Sequence, residues 1–134
     1  MRVVVDTNVL VSGLLSPGGF SAQVLGLIIE GSVELCVDER IMEEYRDVLT
    51  RPEWPFSAQD ALVIVEAIRN RAIFFSPDPL PIALPDPDDR MFLEVALASR
   101  ASAIITGNKR HFPHASAGRV KIFTPRKFVD RFEK

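Results

Sequence analysis

Cysteine is almost absent. Cys36 is the single one in 134 residues, so no internal disulfide forms, and a thiolate zinc cluster, which needs several thiols, is excluded. A reduced, cytoplasmic setting is the simplest fit. Long apolar runs are missing as well. The longest, Val24 to Ile29, is interrupted by Gly26 and falls well short of the ~18 residues that cross a bilayer, so no membrane partner is expected. In Arg2-Val3-Val4-Val5-Asp6 an acid stands where the apolar region of a signal peptide would continue, an expectation against secretion. There is no GxxxxGK[ST] loop, which excludes nucleotide hydrolysis of the P-loop type. A glycine-rich dinucleotide fingerprint after the first apolar segment is missing too.

What is present describes one globular domain spanning residues 1–134. Hydrophobic residues make up 47% and charged residues 25%, ordinary values for a packed fold. A chain of this length buries roughly two-thirds of its unfolded surface, enough for a core without staples. The net charge is only −2, but it is unevenly spread. Residues 1–108 carry 8 basic and 16 acidic groups, and residues 109–134 carry 8 basic and 2 acidic ones. An acidic body with a basic tail suggests either a polyanion contact beside a carboxylate site or a solvated face.

Apolar runs alternate with helical patterns. Residues 2–5 read as a buried strand ending at Asp6. Ser16-Pro17-Gly18-Gly19 reads as a turn, and Ser21 as the cap of a helix that Gly31 stops. A strand over Val33–Val37 follows, then a helix capped by Asp38 and ended by Pro52 and Pro55. Ser57 caps another helix, with Ala61, Leu62, Val65 and Ile68 on one side, and Ala72–Phe75 reads as a third strand. Five of the ten prolines fall between Pro77 and Pro87, which predicts an extended connection. A helix to about Arg100, strands over Ala103–Thr106 and Val120–Phe123, and a short helix from Pro125 complete the chain. Continuous rather than alternating apolar strands, separated by helices, predict a mostly parallel sheet covered on both faces. Ligands of such sheets bind beyond the carboxyl ends of the strands.

Polar residues gather at those ends. Asp6 follows the first strand, as a turn residue, a helix cap or a ligand. On the helix after the second strand, Ile41, Met42, Tyr45, Val48 and Leu49 form one stripe, with Glu44 at its edge, where a side chain can enter a cleft. Asp86-Pro87-Asp88-Asp89 opens a helix that is apolar on most sides. Asp86 and Pro87 fit the cap and first helical position. Asp89 fits a capping box and can still present an oxygen to a cation. Three acids in four residues exceed what capping requires. Thr106-Gly107-Asn108 follows the fourth strand. Acids crowded into one site raise one another's pKa, and a divalent cation relieves the repulsion. All-oxygen ligands select Mg²⁺ or Mn²⁺, ions most at home in phosphate chemistry.

Three segments, VVVDTNVLVSGL (3–14), IMEEYRDVL (41–49) and DPDDRMFLEVALASRASAIITGNKRHF (86–112), resemble PIN-domain proteins of the toxin-component branch related to VapC-type toxins. The resemblance implies a three-layer α/β/α sandwich with a central, mostly parallel sheet of about five strands. It also implies a metal-dependent ribonuclease that leaves 5′-phosphate and 3′-hydroxyl ends, an antitoxin partner and a homodimer. By the same resemblance Asp6, Glu44 and Asp89 are the catalytic and metal-holding acids. Asn108 stands where the family usually has Asp in a Thr-x-Asp motif and is expected as the fourth catalytic residue, completing the rim with an amide that can ligate through oxygen or orient a water but adds no charge. Thr7, Asn8, Asp86 and Thr106 are supporting residues. Lys109 and Arg110 are placed to hold RNA phosphates. His111 and His114 are read as loop residues, and Trp54 as a cover for the core. Two other readings stay open: an RNA-binding or partner-binding module that kept the fold and lost the chemistry, and a phosphoryl enzyme acting on small molecules.

Overall fold

The computed structural model describes residues 1–80, 84–113 and 119–133. The strands are β1 (Arg2–Val5), β2 (Glu34–Val37), β3 (Ile73–Phe74), β4 (Ala103–Ile105) and β5 (Lys121–Phe123). They form one sheet in the order β3-β2-β1-β4-β5, and every pairing is parallel. The helices are α1 (Thr7–Leu15), α2 (Phe20–Ile29), α3 (Glu39–Leu49), α4 (Ala58–Arg71), α5 (Arg90–Ser99) and α6 (Pro125–Phe132). Short 3-10 turns lie at Pro87–Asp89 and Lys109–His111. Helix α5 packs on β1, β2 and β4, while α1 packs on α2 and α3, α2 on α4 and α6, and α3 on α4. This is the expected three-layer arrangement. Chain direction along the sheet reverses at β1: β2 lies on one side and β4 on the other, so the crevice for a ligand opens above the ends of β1 and β4.

The reason β1 sits in the middle is visible in its residues. Val3, Val4 and Val5 have no exposed surface, as a strand covered on both faces requires. Val3, Val4 and Val5 pair with Ala103, Ile104 and Ile105 of β4, and the Asp6 N–H donates to the Ile105 carbonyl at 2.9 Å. The ladder therefore continues into the first functional residue. Tyr45, fully buried on α3, donates its hydroxyl to the Val5 carbonyl at 2.5 Å. That bond ties α3 to the end of β1.

Several local expectations hold. Asp38 caps α3 by accepting from the Ile41 N–H, Ser57 caps α4 by accepting from the Asp60 N–H, and Asp86 accepts from the Asp88 N–H before Pro87. Others are corrected. Residues Thr7–Leu15 form a helix that the sequence pattern does not predict. Ser21 is not a cap: α2 starts at Phe20 with Gly19 at its N-cap, and Ser21 is buried. A Cβ on Gly13 would come within 3.2 Å of the Ser21 carbonyl oxygen, so Ser21 belongs to the close crossing of α1 and α2. Leu62 leaves the α4 stripe and is 38% exposed. Asp89 makes no capping bond.

Glu94 is an unforeseen acid on the apolar helix α5. Only 4% exposed, it accepts from Arg40 at 2.8 Å and from the Leu80 N–H at 2.7 Å. The start of the proline-rich connection, 77–80, is thereby fastened to α3 and α5; residues 81–83 of that connection lie outside the described residues. Among the described residues no single helix is long and apolar enough to cross a membrane; α1 and α2, apolar in sum, meet at 107°.

Candidate metal centre

A cavity of about 500 Å³ opens above the ends of β1 and β4. Five acids line it: Asp6, Glu44, Asp86, Asp88 and Asp89. They come from the end of β1, the middle of α3 and the turn before α5. Thr7, Asn8 and His111 complete the polar wall, and Val11, Leu15, Val48 and Trp54 form an apolar side, with Arg51 beside it.

Asp6 stands at the N-cap position of α1, yet its side chain makes no capping bond. Its Oδ2 instead accepts from the Thr106 hydroxyl at 2.8 Å and from the Asn8 amide at 3.4 Å. Asn8 is held in turn, because its Oδ1 accepts from the Gly107 N–H at 3.2 Å. The ends of β1 and β4 are thus sewn together around one carboxylate. Glu44 enters from α3 and accepts from the Thr7 hydroxyl. The edge-of-stripe position read from the sequence directs it into this cavity. Asp86 lines the cavity but spends one oxygen on the Asp88 N–H.

Asp89 is 7% exposed, and its Oδ2 is a buried atom without a hydrogen-bond partner. His111 Nδ1 lies 3.1 Å from that oxygen, and it too is buried and without a hydrogen bond. One ligand atom each from Asp6, Asp89 and His111 fall within 4.8 Å of one another. Burial is the main cause of a raised pKa at all three acids. Asp6 is pushed up by burial, partly offset by the Thr106 bond. Glu44 is pushed up by burial and by the charge of Asp6, against the Thr7 bond. Asp89 is pushed up to about 6 by burial and by Asp6. Such a cluster holds unfavourable charge that a proton or a bound cation would relieve.

Asn108 is placed differently from expectation. It is not among the lining residues, and its amide oxygen accepts from the Arg110 N–H at 3.1 Å, capping the 3-10 turn. An Asn before such a turn satisfies the local backbone first. Lys109 and Arg110 are exposed on that turn. His111, read as a loop residue, and Trp54, read as a core cover, both line the cavity. Trp54 donates its indole N–H to the Val48 carbonyl at 2.7 Å and stacks on Phe56. His114 lies outside the described residues. His111 reaches the cavity on the 3-10 turn Lys109–His111 that Asn108 caps, and no pattern in the sequence announces that turn.

Residues 2–110 match the PIN domain family. The chain belongs to that family. Uncharacterized protein MJ1680 of Methanocaldococcus jannaschii is 28% identical to this PIN-domain chain over 145 aligned positions, covering 100% of this chain and 93% of the other. A chain in the crystal structure of VapBC2 from Rickettsia felis, bound to a DNA fragment from their promoter, shares the fold with a TM-score of 0.62 at 11% identity. That likeness covers 92% of this chain and 98% of the other. The family match ends at Arg110, so His111, the strand β5 and the helix α6 of this PIN domain lie beyond it.

Proposed function

We propose that this PIN domain is a metal-dependent endoribonuclease that hydrolyses RNA phosphodiester bonds, and that it is the toxin component of a toxin–antitoxin pair. The observation that carries the reading is the buried, unpartnered Asp89 oxygen facing Asp6 in an acid-lined cavity. An orphaned carboxylate oxygen of this kind fits a divalent cation. Asp6, Glu44 and Asp89 would hold Mg²⁺ or Mn²⁺, the hard ions suited to oxygen donors. A bound ion of this type supplies a polarised phosphoryl oxygen and a water of lowered pKa.

The chain's own residues prepare that chemistry. Thr106 and Asn8 fix the Asp6 carboxylate, and Thr7 fixes Glu44, so the acids do not reorganise when a substrate arrives. Asp86 orders the turn that presents Asp89. Asn108 acts in this reading by ordering the turn that carries Lys109, Arg110 and His111. Lys109 and Arg110, exposed beside the cavity mouth, hold flanking phosphates of RNA. The likeness in fold to a chain of a VapBC2 complex supports an antitoxin partner. Pairing of two copies and a cytoplasmic location belong to the same proposal.

Asp6→Asn is the direct test. Mn²⁺-dependent cleavage of a pool of structured RNAs should fall by at least about a hundredfold, with a thermal midpoint equal to or above that of the wild type. Cleavage at the wild-type rate would place the chemistry elsewhere. RNA binding without cleavage by the wild type would favour the binding-module reading, for which the missing fourth acid at position 108 is the specific support.

A further inference from the structure

The acids account for only part of the cavity's polar wall. His111 Nδ1 and Asp89 Oδ2 face each other at 3.1 Å, yet neither makes a hydrogen bond there, and both are buried. A histidine N–H aimed at a carboxylate at that distance would form a strong bond. The pair is close enough for an ion pair when the imidazole is protonated, but no hydrogen bond forms between them, which leaves both atoms available to a third partner. Neighbouring donors around an octahedral ion with bonds of ~2.1 Å lie ~3.0 Å apart, close to the separation observed. Asp6 supplies the third atom within 4.8 Å. The side chain that would otherwise take this corner, Asn108, is turned away to cap Arg110.

We propose that His111, through Nδ1, is a metal ligand together with Asp6 and Asp89, and that the centre is therefore a mixed nitrogen–oxygen site that takes Mn²⁺ in preference to Mg²⁺. The inference rests on the metal-dependent reading above and sharpens it. An imidazole donor adds little for Mg²⁺, which prefers oxygen, and more for later divalent ions, which rise in affinity along the Irving–Williams order. The neutral nitrogen fills the coordination place, though not the charge, that a fourth acid would bring. The turn Lys109–His111 then has two tasks: its exposed cations meet the substrate backbone, and its last residue closes the ion's coordination.

The test uses the full chain and the metal alone. Mn²⁺ is titrated into wild type, His111→Ala, His114→Ala and Asp89→Asn, with binding followed by calorimetry and by pulsed electron paramagnetic resonance. Bound Mn²⁺ in the wild type should show nitrogen modulation from an imidazole. That modulation should vanish in His111→Ala and persist in His114→Ala, the only other histidine in the chain. Mn²⁺ affinity should fall at least about tenfold in His111→Ala, the lower bound set by losses of merely supporting residues, while Mg²⁺ affinity changes less. Mn²⁺ bound tightly by the wild type without nitrogen modulation, or modulation lost only in His114→Ala, would overturn the histidine assignment and leave the acid site standing. Absence of Mn²⁺ binding altogether would overturn both. The wild-type spectrum decides the ligand even if a variant folds poorly.

Discussion

Asp89 contains the sharpest conflict between stability and purpose. Its carboxyl is pushed up to about 6, first by burial and then by the Asp6 charge, against an ordinary value of 3.8. The protonated form is therefore favoured by folding. Its contribution is fully present below about pH 4 and is lost as pH rises through about 6. The metal-free protein should lose up to about 3 kcal/mol from this group on going from pH 4 to pH 7.5. Asp89→Asn should raise the thermal midpoint at pH 7.5 by several degrees and make little difference at pH 4, measured by calorimetry in a chelator. A lower midpoint for the variant at pH 7.5 would show that the carboxylate is a structural partner rather than a strained ligand. At this scale the sequence places Asp6, Glu44 and Asp89 at a strand end, a helix-stripe edge and an acidic helix start, while the resemblance singles them out from capping and boundary roles, because their partners lie far away in the chain: Thr106 for Asp6 and Thr7 for Glu44. Which of His111 and Asn108 lines the cavity is not legible, because it depends on one hydrogen bond within a 3-10 turn.

Elements follow the same logic on a longer range. Helices with a polar cap and an even apolar stripe were legible: Asp38 and Ser57 begin α3 and α4 as read. Helix α1 was not, because Val9, Leu10, Val11, Leu14 and Leu15 with Gly13 between them show neither a cap bond nor a clean period. Its helical state comes from packing against α2 and α3. Ser21 misled for a related reason, since a capping residue type just inside a helix looks identical in sequence to one at its start. Glu94 is the element-scale device that no pattern announced. By joining Arg40 on α3 to the Leu80 N–H, it fastens an irregular, proline-rich segment that has few backbone bonds of its own. Glu94→Ala should cost about 1–3 kcal/mol in denaturant unfolding, less than a fully buried pair because Arg40 is half exposed. It should also speed proteolysis near Leu80. A loss of stability with unchanged cleavage there would mean that the segment is held by other contacts.

For the molecule as a whole, the layered parallel sheet was readable because the strands are short apolar runs, opened in β1, β2 and β5 by a single exposed charge (Arg2, Glu34, Lys121), and every crossover is long enough for helices. The order of strands was not readable, since nothing local tells β4 to join β1 on the side away from β2. The acidic body also has a collective consequence. A cation that binds the folded cavity and not the unfolded chain must stabilise the whole fold, by about 2.7 kcal/mol at a hundred times its dissociation constant. The gain from Mn²⁺ should be larger at pH 7.5 than at pH 5, because Asp89 must shed its proton to ligate. Differential scanning calorimetry with Mn²⁺ and with a chelator would measure both. Equal stabilisation at the two values would argue that the ion sits on surface acids instead.

The central place of β1 sets a schedule for biosynthesis. Strand β1, made before β4, waits in the middle of the sheet for this neighbour, whose residues are made some hundred positions later. Thr106, which grips Asp6, and His111 emerge later still. A chain halted by a premature stop codon between residues 45 and 102 carries Asp6 and Glu44 without the scaffold that brings them into use. Whatever the cavity does, a chain that lacks β4 cannot do it.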